Sequence, residues 1–511
     1  MNKSFVIHPF LFSLFPVLAL FSYNIYQTEF SEVLPPLVVI LITTIMINLL
    51  LIFIFKDSQK IGICISIFLI LFLSYGYFCE IISVHIIIGK LIIIAPVYIF
   101  VICILFLFIV SYFIIKTQKN LNNITKILNI ISFILVLMQM LYIGLYELTE
   151  LFSYNNNSEE IIEYKNIKNT KDLHDIYYII LDGYARADNL KEFYNFDNHN
   201  FIDYLLKKGF YVASKSNSNY ISTFMSLPSS LNMEYINYLS DVAGEHSKER
   251  ILPHNMIKKN KIVKILKSKG YKFIHFNSGY GPTSSNEYAD LQLQSGYNNE
   301  FSTVLIRSTM LRLGEKYLVQ NRFRKTILYT FSELSELHKI KGAKFIFAHI
   351  IAPHPPYVFG RNGESTSGKT LRMHGEAWKE KEEYINQLIF VNKKVEVLVD
   401  KILSKSDIPP IIILQADHGT ASTFPIDTNE EINFPVNPKD ELLRERFGIL
   451  NAYYLPGKKE DCLYDSISPV NTFRLIFNLY FNMNYKLVED RCFYSSYVLP
   501  FKFIDVTDKL K

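Results

Sequence analysis

The chain has 511 residues, half of them hydrophobic and only 20% charged, with a formal net charge of +5. That length allows one to three domains with ample chain to bury a core. The small positive balance is spread without any dense basic block, which excludes nucleic acid as an expected partner.

The apolar excess is concentrated at the N-terminus. Five runs, at 8–26, 34–55, 61–79, 91–115 and 127–146, are each long enough to cross the ~30 Å hydrocarbon layer of a bilayer. A cleavable leader would be one such run followed by a small-residue cleavage site; here four more runs follow at short intervals. Lys56 and Lys60 lie between the second and third runs, and Lys116, Lys119 and Lys126 between the fourth and fifth. The alternate loops carry Glu29 and Glu32, or Glu80 with Lys90. The bias of lysine and arginine toward the cytoplasm then puts the N-terminus inside and everything after Tyr146 outside. The expected organisation is a five-span transmembrane domain over 1–150, a polar linker over 151–174 and an extracytoplasmic domain over 175–511. Cys64, Cys79 and Cys103 fall in or at the ends of the spans and read as small apolar residues. Cys462 and Cys492 lie in the exported part, where an oxidising compartment permits a disulfide between them.

In the exported part, strand and helix patterns alternate. The apolar run Ile176-Tyr177-Tyr178-Ile179-Ile180-Leu181 ends in Asp182-Gly183. A helical stretch over 198–208 closes at Gly209, and a short strand follows at 210–213. A helix over 258–269 ends at Gly270, before the strand Tyr271 to Phe276. Residues 301–340 read as helical, followed by a strand at 344–350. Leu388, Val391, Val395, Leu398 and Ile402 recur at helical spacing within 384–403, ahead of a strand at 411–416. A further strand at Leu450–Leu455 and a helix over 470–481 complete the pattern. The fold class expected is an α-helical membrane domain followed by an α/β domain with a mostly parallel sheet covered by helices. Prolines mark 353–356 as a loop, and 360–368 and 420–439 read as loops from their glycine or polar content.

Three of these strands end in residues of metal-ligand type. Ile411 to Leu414 runs into Asp417-His418-Gly419, and β-type residues 345–348 run into His349 and then His354-Pro355-Pro356. In open α/β sheets, sites assemble at the carboxyl ends of strands, so the three endings together point to a metal-dependent active site. Carboxylate and imidazole side by side at Asp417 and His418 suit Zn²⁺ or Mn²⁺. Asp182 taken alone could equally cap a turn, and His349 could be packing at its strand end. For a nucleophile, the segment Asn219 to Asn232 offers Ser222, Thr223, Ser226, Ser229 and Ser230 ahead of a helical stretch, where a hydroxyl is ordinarily an N-cap. Arg186 and Asn232 are candidates for holding a phosphate, against a salt bridge and a helix-end hydrogen bond. Asn277-Ser278-Gly279-Tyr280 is a candidate wall.

Taken together, Leu181-Asp182-Gly183-Tyr184, the Asn219 to Asn232 segment, Ala352-Pro353-His354-Pro355-Pro356-Tyr357 and Asp417-His418-Gly419 resemble the alkaline phosphatase superfamily over about 172–480. Within it, the pattern is similar to the sulfatase-like membrane branch that includes lipoteichoic acid synthases and phosphoethanolamine transferases. The resemblance implies Thr223 as nucleophile, with Asp182, Thr223, Asp417 and His418 on one divalent metal ion. It implies that His354 contacts the substrate or, if protonated, assists the leaving group. Sulfatases carry a Cys or Ser in a C/S-x-P-x-R signature that matures to formylglycine; Thr223-Phe224-Met225 departs from it, which disfavours sulfate ester hydrolysis. His349 and His354 could hold a weaker second ion.

The function implied is a multi-pass transferase of a bacterial cytoplasmic membrane. Thr223 would take a phospho-substituent from a membrane phospholipid donor, as phosphothreonine, and pass it to an envelope glycan or lipid acceptor. A hydrolase using the same site is the first alternative. A non-catalytic membrane protein is the second, which the intact set of ligands and nucleophile argues against.

Overall fold

The computed structural model describes residues 4–85, 96–154, 173–296, 299–366, 375–425, 435, 437–458 and 462–511. The chain divides into two compact units, one of residues 1–162 and 299–319, the other of residues 163–298 and 320–511. Most of the expected linker, and parts of the expected loops at 360–368 and 420–439, lie outside the described residues.

The first unit holds α1 (His8–Tyr23), α2 (Phe30–Phe55), α3 (Ser58–His85), α4 (Pro96–Lys116) and α5 (Asn122–Tyr154). Of these, α2 to α5 are long and apolar enough to cross a membrane. The first expected span is shorter than the pattern suggested. With 16 residues, α1 rises about 24 Å, less than the hydrocarbon thickness. It stops because Asn24 folds back and donates its side-chain amide to the Leu20 carbonyl at 2.8 Å, closing the helix ahead of a turn. At the lysine-bearing end, Lys60 Nζ donates to the carbonyls of Ile115 and Thr117, both at 2.8 Å, and so caps α4. Asn122 and Asn129 of α5 accept from the backbone of Ser4 and His8 at the start of α1.

The second unit follows in chain order. It begins with β1 (Ile176–Leu181), α6 (Ala187–Tyr194), α7 (His199–Lys207), β2 (Tyr211–Val212), α8 (Thr223–Asn232) and α9 (Leu239–Ala243). Then come α10 (Ile251–Lys258), α11 (Lys261–Ser268), β3 (Lys272–Phe276) and β4 (Leu291–Leu293). Here the chain leaves for the first unit, as α12 (Glu300–Ser308) and the short turns Met310–Gly314 and Lys316–Gln320. It returns with α13 (Asn321–Leu334), β5 (Lys344–Ile350), α14 (Lys381–Lys405), β6 (Ile411–Gln415), α15 (Asp440–Phe447), β7 (Asn451–Tyr454) and α16 (Pro469–Phe481). A small hairpin of β8 (Phe493–Tyr494) and β9 (Ile504–Asp505) lies near the end. The helical stretch expected over 301–340 is therefore broken, and its first part belongs to the other unit.

The sheet has the order β2-β7-β6-β1-β5-β3-β4. Strand β1 is central and runs parallel to both β5 and β6, β3 is parallel to β5, and β7 is antiparallel to its two neighbours. All six residues of β1 are buried, the condition of a parallel strand covered on both faces and the reason it reads as a continuous apolar run. One face, with Tyr178, Ile180, Phe347 and Ile413, packs on apolar side chains of α8, α11 and α16. The polar ends of β6, β1 and β5 thus emerge side by side. No disulfide joins Cys462 and Cys492.

In the first unit, α12 lays Phe301 and Leu305 on Val17, Leu20, Phe21 and Val33, and Asn299 donates to the Glu32 carbonyl at 3.0 Å. Gly76 of α3 permits the approach, since a Cβ there would run into the carbonyl oxygen of Arg307. Gly76→Val is therefore expected to loosen residues 299–319 from the helices, read as faster proteolytic cleavage within that segment of the detergent-solubilised chain. Cleavage at the unchanged rate would contradict this packing.

Candidate active site

Asp182 follows the last residue of β1, and its backbone N–H donates to the Ile350 carbonyl at 3.0 Å, extending the β1/β5 ladder by one step. Gly183 then turns the chain with φ +68°, a backbone state glycine takes without steric cost. A Cβ at this position would also sit 3.0 Å from the Trp378 ring and 3.4 Å from His354. The Gly183 N–H donates to Asp417 Oδ1 at 3.2 Å, tying the end of β1 to the end of β6. On the other side, the His354 N–H donates to the Asp182 carbonyl at 3.0 Å. Strand ends and the proline loop are therefore one hydrogen-bonded frame.

The side chains of that frame converge. His349 Nε2 lies 3.2 Å from Asp182 Oδ2, and His418 Nε2 lies 3.5 Å from both Asp182 Oδ1 and Asp417 Oδ2. Thr223, the first residue of α8, points its hydroxyl at His418 Nε2 from 3.4 Å. Ser226, one turn on, donates to the Asp417 carbonyl at 2.6 Å, which docks the helix N-terminus on the metal-type strand end. Asp182, Asp417, His418, His354, His349 and Thr223 are all buried.

Two overlapping groups have the spacing to hold a metal ion: Asp182 with His354 and His418, and Asp182 with His349 and Asp417. The chemistry of the donors fits a divalent cation. Asp182 Oδ1 and Asp417 Oδ2 are buried without a hydrogen-bond partner, an arrangement that costs free energy unless a cation completes it. His418 Nδ1 faces the Gly419 carbonyl at 2.9 Å and His354 Nδ1 the Pro355 carbonyl at 2.5 Å. A carbonyl can only accept, so in both rings Nδ1 carries the hydrogen and Nε2 keeps its lone pair for the centre.

Electrostatics support the same reading. Burial, reinforced by the neighbouring Asp182 charge, pushes the Asp417 carboxyl up to about 7. At Asp182 burial also pushes upward, but the surrounding histidines outweigh it and hold that carboxyl below its usual range. Burial lowers His354 and lowers His418 well below its ordinary value, so both rings are neutral near pH 7. The protonated His354 considered from the sequence is thus disfavoured, because a buried imidazolium would lack hydration.

Several residues that frame the site carried no sequence signal. Arg446, fully buried, donates from Nε to the Ile221 carbonyl at 2.7 Å and from Nη1 to the Gly419 carbonyl at 2.9 Å. It joins the segment before Thr223 to the segment after His418. Its neighbour Glu445 accepts from Thr420 Oγ1 at 2.8 Å and from the backbone of Ser422 and Thr423 at 2.6 and 2.9 Å. Gln387 of α14 splints the proline loop, accepting from the Val358 N–H at 2.8 Å and donating to the His354 carbonyl at 3.0 Å. Prolines supply no N–H, so that loop's carbonyls need such a donor. Trp378, the one tryptophan of the chain, stands edge-on to His354 at 4.8 Å between ring centres. A lone tryptophan was the single clue available.

Other candidates are engaged elsewhere. Arg186 pairs with Asp188 at 2.7 Å and donates to the Ser216 carbonyl at 3.0 Å. Asn232 bonds the carbonyls of Pro228 and Met256 and accepts from the Lys261 N–H. The 277–280 segment reaches the centre through His349, whose Nδ1 lies 2.8 Å from Thr283 Oγ1, itself 2.7 Å from Ser278 Oγ.

Residues 178–473 match the sulfatase family. No curated protein matches the chain. Among solved structures, the chain is similar to the C-terminal periplasmic domain of EcEptC from Escherichia coli, at 15% identity over 66% of this chain and 93% of that one, with a TM-score of 0.43. It is also similar to the integral membrane lipooligosaccharide phosphoethanolamine transferase A of Neisseria meningitidis, at 13% identity over 94% and 96% of the two chains and a TM-score of 0.38. A 2-O GAG sulfatase, BT1596, is similar at 12% identity over 62% and 72%, with a TM-score of 0.39.

Two outcomes are expected from this geometry. A raised pKa means that Asp417 holds its proton below about pH 7, so cation binding must first expel it. Affinity for Zn²⁺ or Mn²⁺ should rise about tenfold per pH unit up to that point and then level off. The two neutral histidines add no step above it. Calorimetric titration checks this, and Asp417→Asn should remove the step while weakening binding. Arg446→Lys cannot bond both carbonyls in the same fork; turnover of a phosphodiester should fall about tenfold or more, with metal affinity, measured in parallel, much less affected.

Proposed function

The chain belongs to the sulfatase family, and on that premise we propose that it is a membrane-anchored, metal-dependent transferase of phospho-substituents. The reading rests above all on the Thr223 hydroxyl standing 3.4 Å from His418 Nε2, beside the orphaned oxygens of Asp182 and Asp417. Asp182, Asp417, His418 and the Thr223 oxygen would hold one divalent ion, Zn²⁺ or Mn²⁺. That ion, when bound, lowers the pKa of the hydroxyl and polarises the phosphoryl oxygen of the substrate.

The chain's own groups do the rest. The ten-residue helix α8 begins at Thr223, and its N-terminal N–H groups favour negative charge at that oxygen. The Thr223 oxygen attacks the phosphorus of a phospholipid head-group phosphodiester, the bond to the diacylglycerol oxygen breaks, and a phosphothreonine forms. His354, neutral and with its Nε2 lone pair inward, takes the proton released by Thr223 and returns it to the departing oxygen. An acceptor hydroxyl on an envelope glycan or lipid then attacks the phosphothreonine and regenerates Thr223. Threonine has no route to formylglycine, which favours phosphoryl over sulfuryl chemistry.

In this reading α2 to α5 cross the cytoplasmic membrane of a bacterium, and α1, though shorter than the hydrocarbon layer, runs beside them as the fifth span, its start held by Asn122 and Asn129 of α5. The lysines at 56, 60, 116, 119 and 126 lie on the cytoplasmic side together with the N-terminus, and the catalytic unit lies outside. Anchoring confines the enzyme to the plane that holds its lipid donor, so encounter does not depend on diffusion through bulk water.

The full-length chain, incubated with mixed phospholipids and Zn²⁺ or Mn²⁺, should gain a covalent mass that maps to Thr223, with diacylglycerol released. Thr223→Ala should show neither. Metal binding without adduct or diacylglycerol would turn the reading toward soluble phosphoesters, and product formation unchanged by added acceptor would make the enzyme a hydrolase.

A further inference from the structure

The excursion of residues 299–319 into the first unit does more than fill a gap between helices. Its contacts all fall at one end of the bundle. Phe301 and Leu305 meet residues near the C-terminus of α1 and the N-terminus of α2. Met310 packs with Tyr75 and Cys79 toward the C-terminal end of α3 and with Ile99 near the start of α4. Arg312 Nη1 lies 3.2 Å from Glu80 Oε1. This is the end opposite Lys56, Lys60, Lys116 and Lys126.

After α12 the two short turns bury one apolar side chain each, Met310 and Val319, and direct the others outward. Leu311, Leu313, Tyr317 and Leu318 are all exposed, Tyr317 to 75%. Four large apolar side chains within eight residues form a patch, not the scattered exposure ordinary for a surface. Lys316 is exposed among them, whereas Arg307 pairs with Glu315. The same half of the bundle exposes Tyr23 at the end of α1, Tyr98 near the start of α4, and Tyr77 and Tyr142 in the C-terminal halves of α3 and α5. Tyrosines ringing one end of an apolar bundle mark a membrane–water interface, because the ring is apolar and the hydroxyl is wet. The leucines of the excursion continue that ring.

We propose that residues 311–318 form a membrane-interface element, with Leu311, Leu313, Tyr317 and Leu318 seated in the boundary between lipid headgroups and acyl chains, and Lys316 at the level of the phosphates. This rests on the reading of α2 to α5 as membrane spans. The occupant of the patch is lipid because the patch is continuous with the exposed tyrosines of the bundle and carries an exposed lysine, Lys316, beside its apolar side chains. The depth expected is about 5–10 Å below the headgroup surface.

The test uses the full-length chain in phospholipid vesicles. Tyr317→Trp places a reporter on the patch; the signal of the parent, from the buried Trp378, is subtracted. Phe108→Trp, at an exposed position in the middle of α4, serves as a separate control for the spans. Emission from the Tyr317→Trp reporter is expected to be quenched several-fold more by phospholipids brominated near the head of the acyl chain than by aqueous iodide. Strong quenching by iodide would place the patch in water, and resistance to both would mean that protein covers it; either result overturns the proposal. Loss of lipid quenching at the Phe108→Trp reporter would instead undo the reading of the bundle as spans.

Discussion

Two carboxylates, Asp182 and Asp417, are buried side by side at the ends of adjacent parallel strands, and everything around them answers to their mutual repulsion. Left alone, such a pair keeps a proton, which is why the Asp417 carboxyl is pushed up to about 7. The frame does not let them separate, because Gly183 N–H binds Asp417 while Asp182 N–H binds the neighbouring strand. No lysine or arginine pairs with them directly, and two of the rings beside them, His354 and His418, are neutral imidazoles with their lone pairs turned inward. A divalent cation resolves the conflict with charge that no side chain supplies at that point. The stability of the site and its chemistry are therefore the same matter, since the arrangement that is poor without a cation is the one suited to hold it.

The second requirement is positional. A threonine hydroxyl is useful only if it meets that centre, and α8 is pinned there from three directions. Ser226 bonds the Asp417 carbonyl, Arg446 bonds the Ile221 carbonyl ahead of the helix, and the apolar side of α8 sinks Leu227 and Leu231 into the core under the sheet. Arg446 is buried against the Trp378 ring, 5.8 Å from its centre. A guanidinium in that place is tolerated because two backbone carbonyls and an aromatic face accept it.

How much of this the sequence discloses depends on the kind of interaction. Parallel strands covered on both faces read as unbroken apolar runs, so a carboxylate such as Asp182 or Asp417 just beyond the run stands out. The helical faces of α11, α14 and α16 are legible for the same reason, since their core residues recur at helical spacing. The residues that hold these side chains in place are not legible. Arg446, Gln387 and Glu445 act on backbone groups that lie far away in the chain, and a backbone carbonyl leaves no trace in a sequence. The excursion at 299–319 is hidden differently. Phe301 and Leu305 have the i, i+4 spacing of an ordinary amphipathic helix, and that spacing says a face is covered without saying by what. The shortness of α1 turned on one side chain, Asn24, which folds back on its own helix.

The same excursion has a consequence for the order in which the protein can be built. Because a piece of the first unit comes from residues 299–319, that unit is unfinished until well over half of the chain has emerged. Strand β1 is made early but has both of its neighbours, β5 and β6, still to come, each more than a hundred residues later. Contacts so distant in sequence form slowly. The newly made β1 to β4 region must therefore wait, apolar edges unpaired, while the first unit is completed, and this interval is where a chain of this design is most exposed to misfolding.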